Sequence, residues 1–152
     1  MWAPIHLVPS SGDVAASGTP SNFHVRFPAI LLPGGPAAWS IRVANISFPR
    51  PAADGNSIFV YLPNTVSDNE SRVGSAGTVG FVFRIRPMSS TEPSPVYLQS
   101  LDPRPAFFPL KTSILQDMTI VVEESNGTGV PSTNPDGSAG FTTLQMELVR
   151  NH

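Results

Sequence analysis

The spacing of proline and glycine constrains this chain more than any other feature. The sequence has 17 prolines and 12 glycines among 152 residues, and they divide it into short segments. Proline interrupts a helix because it lacks an N–H group and clashes with the preceding turn. Within several segments apolar and polar residues alternate, which is typical of half-buried β-strands. The pattern therefore predicts an all-β antiparallel β-sandwich, formed as one domain over residues 1–152.

Long polar stretches indicate how the predicted strands are connected. Three stretches rich in Ser, Gly, Pro and Asn read as loops, at residues 10–21, 63–77 and 128–140. Loops of this length argue against a simple meander, and they favour Greek-key or jelly-roll connections that cross between sheets. We therefore expect a single jelly roll of about eight strands.

The strongest strand prediction covers residues 39–48, where the apolar pattern changes phase. Its apolar residues are Trp39, Ile41, Val43, Ile46 and Phe48. The first three share one face, whereas the last two have the opposite parity. One extra residue near Ala44 and Asn45, forming a β-bulge, would return all five to one buried face. Alternatively, the strand bends there and the covered face changes.

Alternation and β-branched residues predict the remaining strands, at residues 5–8, 22–27, 58–62, 78–86, 96–98, 119–124 and 141–150. Pro28 is expected to end the second of them. Residues 58–62 are apolar without alternation, which predicts cover on both faces. Residues 111–118 contain no proline or glycine and could form one or two helical turns. The expected core residues are Phe23, Phe27, Trp39, Ile41, Val43, Phe81, Phe83 and Leu144, and in the last strand Met146 and Leu148 are also expected to point inward.

Composition and charge exclude several classes of protein. The chain has no cysteine, which rules out disulfides, thiolate zinc sites and cysteine nucleophiles. The formal net charge is −2 and the cations are scattered, so no nucleic-acid partner is predicted. No apolar stretch approaches about 18 residues, so no membrane span is predicted. Charged residues make up 13%, which suits either a β-rich fold or a surface covered by partners.

The titratable residues form no catalytic pattern. His6, His24 and His152 are far apart, and no His-x-His pair offers the start of a metal site. Glu123 and Glu124 are adjacent in a predicted strand, so they point to opposite faces, and we interpret them as a solvated strand end. We therefore predict no catalytic, cofactor-binding or metal-binding residues, no cofactor and no enzymatic activity. A jelly-roll enzyme is the least favoured class.

Three other residues each allow two interpretations of their role. Arg84 and Arg86 share a predicted strand face and could bind a phosphate or a partner carboxylate, but an exposed face balanced by acids is the favoured interpretation. Trp2 belongs to no local strand. It either tucks under the sandwich or docks into a neighbouring subunit, and the second is favoured.

Two parts of the sequence carry a resemblance to a known family. The first joins residues 21–28 and 30–32, a glycine-containing turn, and the strand from Trp39 to Phe48 followed by Pro49. The second joins residues 109–111 and 118–122, an Asn-Gly turn, and the strand over 144–150. Together they resemble the penton-type minor capsid proteins of the Polinton, adintovirus and virophage group, whose pattern includes Trp-x-Val-x-Leu-x-x-Ile-x-Tyr-Pro. Phe48 stands where tyrosine is usual, and residues 128–140 resemble an insertion.

This resemblance implies a structural role. It implies a single jelly roll that forms homopentamers at the icosahedral five-fold vertices, surrounded by a double-jelly-roll major capsid protein. The location implied is the capsid of a virion, made and assembled inside the host cell. The alternative is a carbohydrate-binding β-sandwich module. That class needs two or three exposed aromatic side chains as a stacking platform, whereas we expect Trp39 and Tyr61 to be buried.

Overall fold

The computed structural model describes residues 5–49, 58–63, 65, 71–74, 77–80, 83–85, 96–98, 108–124, 128–134 and 136–151. These residues contain no α-helix. The strands are β1 (Ile5–Leu7), β2 (Ala16–Thr19), β3 (Asn22–Leu31), β4 (Trp39–Phe48), β5 (Ile58–Tyr61), β6 (Ser71–Gly74), β7 (Gly77–Gly80), β8 (Phe83–Ile85), β9 (Val96–Leu98), β10 (Phe108–Pro109), β11 (Ile114–Glu124) and β12 (Thr143–Arg150). One 3₁₀ turn, Pro36–Ala38, precedes β4.

Two antiparallel five-stranded sheets pack together. Sheet A has the order β1-β12-β4, with both β9 and β10 paired to β4. Sheet B has the order β2-β3-β11-β5-β8, and β6 and β7 form a separate two-stranded ribbon. The predicted all-β antiparallel sandwich is confirmed. The twelve strands within the described residues outnumber the eight predicted because β2 and β6 lie in segments predicted as loops, β10 lies in no predicted strand, and the strand predicted over residues 78–86 is divided into β7 and β8.

The inner faces of the two sheets form one hydrophobic core. Five of the residues that were predicted to form the core are buried in it: Phe23, Trp39, Ile41, Val43 and Leu144. Phe27 is half-buried and packs against the edge of this core, where it borders a crevice beside β1, so its prediction as a core residue is confirmed only in part. Phe81 lies outside the described residues, as does the side chain of Phe83. The predicted inward direction of Met146 and Leu148 is confirmed.

A β-bulge in β4 keeps its apolar residues on the inner face. Val43 lies opposite Met146 and Asn45 lies opposite Gln145, so Ala44 is the extra residue of the bulged strand. Because of this extra residue, the apolar side chains on both sides of the bulge reach the core. The bulge prediction is therefore confirmed.

A second bulge lies where β11 pairs with β3, within the segment 111–118 that was predicted to form helical turns, and its extra residues belong to β3. Leu115 lies opposite Ile30, whereas Asp117 lies opposite Arg26, so the register shifts between the two. Leu115 and Met118 are both buried although they are three residues apart. That spacing is normal in a helix, but here the bulge produces it within a strand. The helix prediction was wrong for this reason.

The hairpin of β2 and β3 corrects two further predictions. Residues 10–21 are not all loop, since β2 pairs along its length with β3. In β2, Gly18 has a φ of +117°, a conformation that glycine adopts without the steric cost of a Cβ atom. β3 does not end at Pro28. The pairing with β11 is interrupted between Arg26 and Ile30, so no ladder hydrogen bond is needed from the proline there.

The central part of the chain combines confirmed and corrected predictions. The side chains of residues 59–62 are all buried, which confirms cover on both faces for this segment of β5. The single strand predicted over residues 78–86 is instead divided, because β7 belongs to the ribbon and β8 to sheet B. Arg84 has its backbone in β8, paired opposite Phe59, whereas Arg86 and Trp2 lie outside the described residues.

Candidate functional site

The outer face of sheet A carries polar side chains in rows across the strands. Its charged row places Glu147 of β12 between His6 of β1 and Arg42 of β4. Arg42 Nη2 lies 2.9 Å from Glu147 Oε2, and His6 Nδ1 lies 3.8 Å from Glu147 Oε1. The Glu147 carboxylate therefore lies between two basic groups. Because opposite charges are adjacent in this row, the row does not form a surface of one strong charge.

Next to the charged row lie an amide row and a hydroxyl row. Asn45 lies opposite Gln145, and Ser47 lies opposite Thr143. These four side chains, with Ile46, line a hollow of about 210 Å³, called the neutral hollow below. The bulge at Ala44 sets its geometry, because it brings Asn45 and Ser47 to the outer face. Sequence analysis missed this site because alternation identifies outward residues but not their partners on another strand.

The outer face of sheet B has a separate pair of titratable groups. His24 Nε2 lies 3.6 Å from Asp117 Oδ1, and Arg26 lies opposite Asp117 in the strand register. His6 and His24 thus belong to the outer faces of different sheets and cannot act on one substrate. Over the described part of the chain, no group of three or more His, Cys, Asp or Glu residues could hold a metal ion.

The adjacent glutamates at the end of β11 differ in burial. Glu123 is half-buried, whereas the side chain of Glu124 is 6% exposed. The interpretation of this pair as a solvated strand end was wrong for Glu124. It has the inward parity of Ile120 and Val122, so the strand directs its side chain into the sandwich. As expected, the two carboxylates point to opposite faces of the sheet, so they cannot act together on one substrate.

Two exposed apolar residues form a patch on the outer face of sheet B. Leu31 of β3 lies directly opposite Ile114 of β11, and their exposed fractions are 69% and 45%. Directly opposite side chains in an antiparallel pair contact each other, so the two form one surface, called the apolar patch below. Exposed apolar residues that lie next to one another are a feature of protein contact surfaces.

A tight turn that includes Asn134 and residues 136–140 carries a carboxylate with a perturbed pKa. The Ser138 hydroxyl donates to Asp136 Oδ1 at 2.6 Å, and the Ser138 backbone N–H donates to the same oxygen at 2.9 Å. These two hydrogen bonds favour the ionised carboxylate, so they lower the pKa of Asp136 below its ordinary value. Gly137, with a φ of +86°, allows the turn to close.

We predict that the Asp136 carboxyl titrates below about 3.9, the value for an unperturbed aspartate. Because its pKa is lowered in the folded state, the carboxylate stabilises the turn above the unfolded pKa, and this contribution is lost as the pH falls through the folded pKa. A nuclear magnetic resonance titration of the Asp136 carboxyl carbon measures the midpoint. Ser138→Ala should raise that midpoint, and an unchanged midpoint would refute the role of the serine hydroxyl.

Within the residues that the structure describes, no helix has the length and apolar character needed to cross a membrane. A comparison of the sequence with protein-family models and with curated proteins finds no match in either set.

Proposed function

We propose that this protein is a structural viral capsid protein, a penton subunit with a single jelly-roll fold that forms homopentamers at the icosahedral five-fold vertices. The observation that carries the proposal is a nested set of strand pairs. β1 pairs with β12, β3 with β11, β4 with β9, and β5 with β8. A jelly roll, in which a long hairpin is folded over into two sheets, would produce such nesting, and this agreement supports the proposal. In this interpretation β2 is an added edge strand, and the β6–β7 ribbon is an insertion.

Two further observations support the subunit role. The bulge at Ala44 lies within the Trp39 strand, the segment with the strongest resemblance to penton-type capsid proteins. A low charged fraction of 13% and the apolar patch suit a molecule whose surface is covered by its own copies. The proposal includes a double-jelly-roll major capsid protein as the partner around the vertex and the virion capsid as the location. It includes no turnover of a small molecule.

Native mass spectrometry of the full chain tests the oligomeric state directly. We expect a homopentamer, because a subunit at a five-fold vertex meets identical neighbours by a cyclic, heterologous contact that closes after five copies. The measurement should be repeated over a range of protein concentrations. A chain that stays monomeric at the highest concentration would refute the proposal, and a dimer or trimer would refute the five-fold placement.

We predict that Leu31→Glu weakens the assembly while leaving the fold intact. The substitution places a charge in the apolar patch, where Leu31 is mostly exposed in the single chain but would be covered in the ring. Burying an unpaired charge is costly, so we expect the assembly constant to fall by at least about 10-fold. Analytical ultracentrifugation measures the effect.

Gln116→Glu is the matched control for this variant. Gln116 is also exposed and belongs to the same sheet, but it lies beside the patch rather than in it. The control should assemble like the unmodified chain. Equal assembly by both variants would show that the apolar patch is not a subunit contact.

A further inference from the structure

The neutral hollow on sheet A contains hydrogen-bonding groups without net charge. Its polar side chains are Asn45, Ser47, Thr143 and Gln145. Amide side chains both donate and accept hydrogen bonds, and so do hydroxyl groups. The nearest charged groups, in the row beyond Gln145, pair with each other at 2.9 Å. The hollow therefore offers many neutral donors and acceptors, and it offers little attraction for an ion.

Two of these side chains are held in place before any ligand binds. Asn45 Oδ1 accepts a hydrogen bond from the Ile46 backbone N–H at 2.8 Å, and this bond does not use the Nδ2 hydrogens of the side chain. The Thr143 hydroxyl donates to Ser10 Oγ at 3.0 Å, which leaves its oxygen as an acceptor. Groups fixed in this way lose little conformational entropy on binding.

The other two side chains supply unused hydrogen-bonding capacity. Within the described part of the chain, neither Ser47 nor Gln145 uses its side chain in a hydrogen bond with another described residue. Gln145 is exposed and Ser47 is half-buried. The exposed amide and the hydroxyl can therefore both donate hydrogen bonds to a ligand and accept them from it.

We propose that the neutral hollow binds one ring of an uncharged saccharide. An apolar ligand would leave the amides and hydroxyls without partners, and a phosphate or carboxylate would find no cation among the described residues that line the hollow. A sugar ring carries neutral hydroxyl groups, which can form hydrogen bonds with both the amide and the hydroxyl side chains of the hollow. The volume of about 210 Å³ is below the range of about 300–1,000 Å³ for drug-sized ligands, so one ring is the fitting size.

This inference goes beyond the capsid role and does not rest on it. The proposed ligand is of the class that the alternative function, a carbohydrate-binding module, would bind. The site does not use Trp39 or Tyr61, the aromatic residues considered in the sequence, because both are buried. The hollow also lies on sheet A, whereas the apolar patch proposed as a subunit contact lies on sheet B. Saccharide binding and assembly can therefore be measured separately.

The test is a nuclear magnetic resonance titration of the full chain, labelled with nitrogen-15. The probes are methyl α-D-mannopyranoside, methyl β-D-galactopyranoside and methyl β-D-glucopyranoside, with inorganic phosphate and acetate as charged probes. We expect saturating shifts of the Asn45 and Gln145 side-chain amide signals with at least one glycoside. The dissociation constant should be on the order of 1 mM, since the site is open and uncharged. Neither charged probe should produce saturating shifts.

Gln145→Ala is the decisive variant, and Gln116→Ala is its matched control. Both glutamines are exposed on strands, but Gln116 is in sheet B, away from the hollow. We expect Gln145→Ala to weaken glycoside binding by about 10-fold or more, and Gln116→Ala to leave it unchanged. Absence of saturating shifts with all the glycosides would overturn the inference. So would unchanged affinity in Gln145→Ala, or a preference for phosphate or acetate. Native mass spectrometry of the same samples reports assembly independently, so a monomer that binds a glycoside would refute the penton proposal alone.

Discussion

Deletion of Ala44 is expected to unfold the protein. Without the bulge residue, the second half of β4 reverses its parity, which turns Ile46 and Phe48 outward and Asn45 and Ser47 inward. Exposing each apolar side chain costs about 1.5–3 kcal/mol, and burying each unpaired polar group costs about 1–3 kcal/mol. The sum is comparable to the total stability of a domain, about 5–15 kcal/mol. Circular dichroism and amide signal dispersion measure the loss of structure.

Ala44→Ser is the matched control, because it changes the side chain but keeps the number of residues in β4. Ala44 is half-buried, and we expect the substitution to change the free energy of unfolding by less than about 1 kcal/mol. If the deletion variant folded with the stability of the unmodified chain, the register of β4 against β12 described above would be incorrect.

Trp39→Ala should lower the free energy of unfolding by about 3–5 kcal/mol. Trp39 is among the largest fully buried side chains, so its removal leaves a cavity in the core. Its indole Nε1–H also donates a hydrogen bond to the Pro33 carbonyl at 2.9 Å, and the substitution leaves that acceptor without this donor. Chemical denaturation followed by circular dichroism measures the change in the midpoint and slope.

Trp39→Phe separates packing from hydrogen bonding at the same position. Phenylalanine retains most of the apolar volume and loses the indole N–H, so we expect a smaller loss than for alanine, about 1–3 kcal/mol. An alanine variant as stable as the unmodified chain would contradict the burial of Trp39 and, with it, the inner face of β4.

Two bulges show what the sequence could and could not predict about the fold. In β4 the residues on both sides of Ala44 are apolar and alternate, so the change of phase was visible. Where β11 pairs with β3, the bulge separates Leu115 from Met118, and the two apolar residues before it, Ile114 and Leu115, are adjacent and show no alternation. A spacing of three residues between buried side chains fits a helix as well as a bulged strand. Pairing with β3 decides between these two structures, and the local sequence carries no information about that pairing.

The other errors have a similar physical origin. β2 is composed of Ala, Ser, Gly and Thr, so it has no apolar alternation, and it becomes a strand because β3 offers an edge with which to pair. The neutral hollow depends on the pairing of residues that are about 100 positions apart in sequence, such as Asn45 and Gln145. Alternation identified the inner and outer faces of β4 and β12 correctly. The neighbours on the outer face required the strand order.

The pairing of β1 with β12 has a consequence for biosynthesis. Ile5 lies opposite Leu148, and β12 is inserted between β1 and β4. While the ribosome has not yet released residue 148, β1 lacks its partner in sheet A, and the edge of β4 that later meets β12 is unpaired. Closure of sheet A must therefore wait until β12 has left the ribosome, and such distant pairing places the folding time in the range of about milliseconds to seconds. During that interval the nascent chain offers two unpaired edges to chaperones, or to other copies emerging from the same polysome.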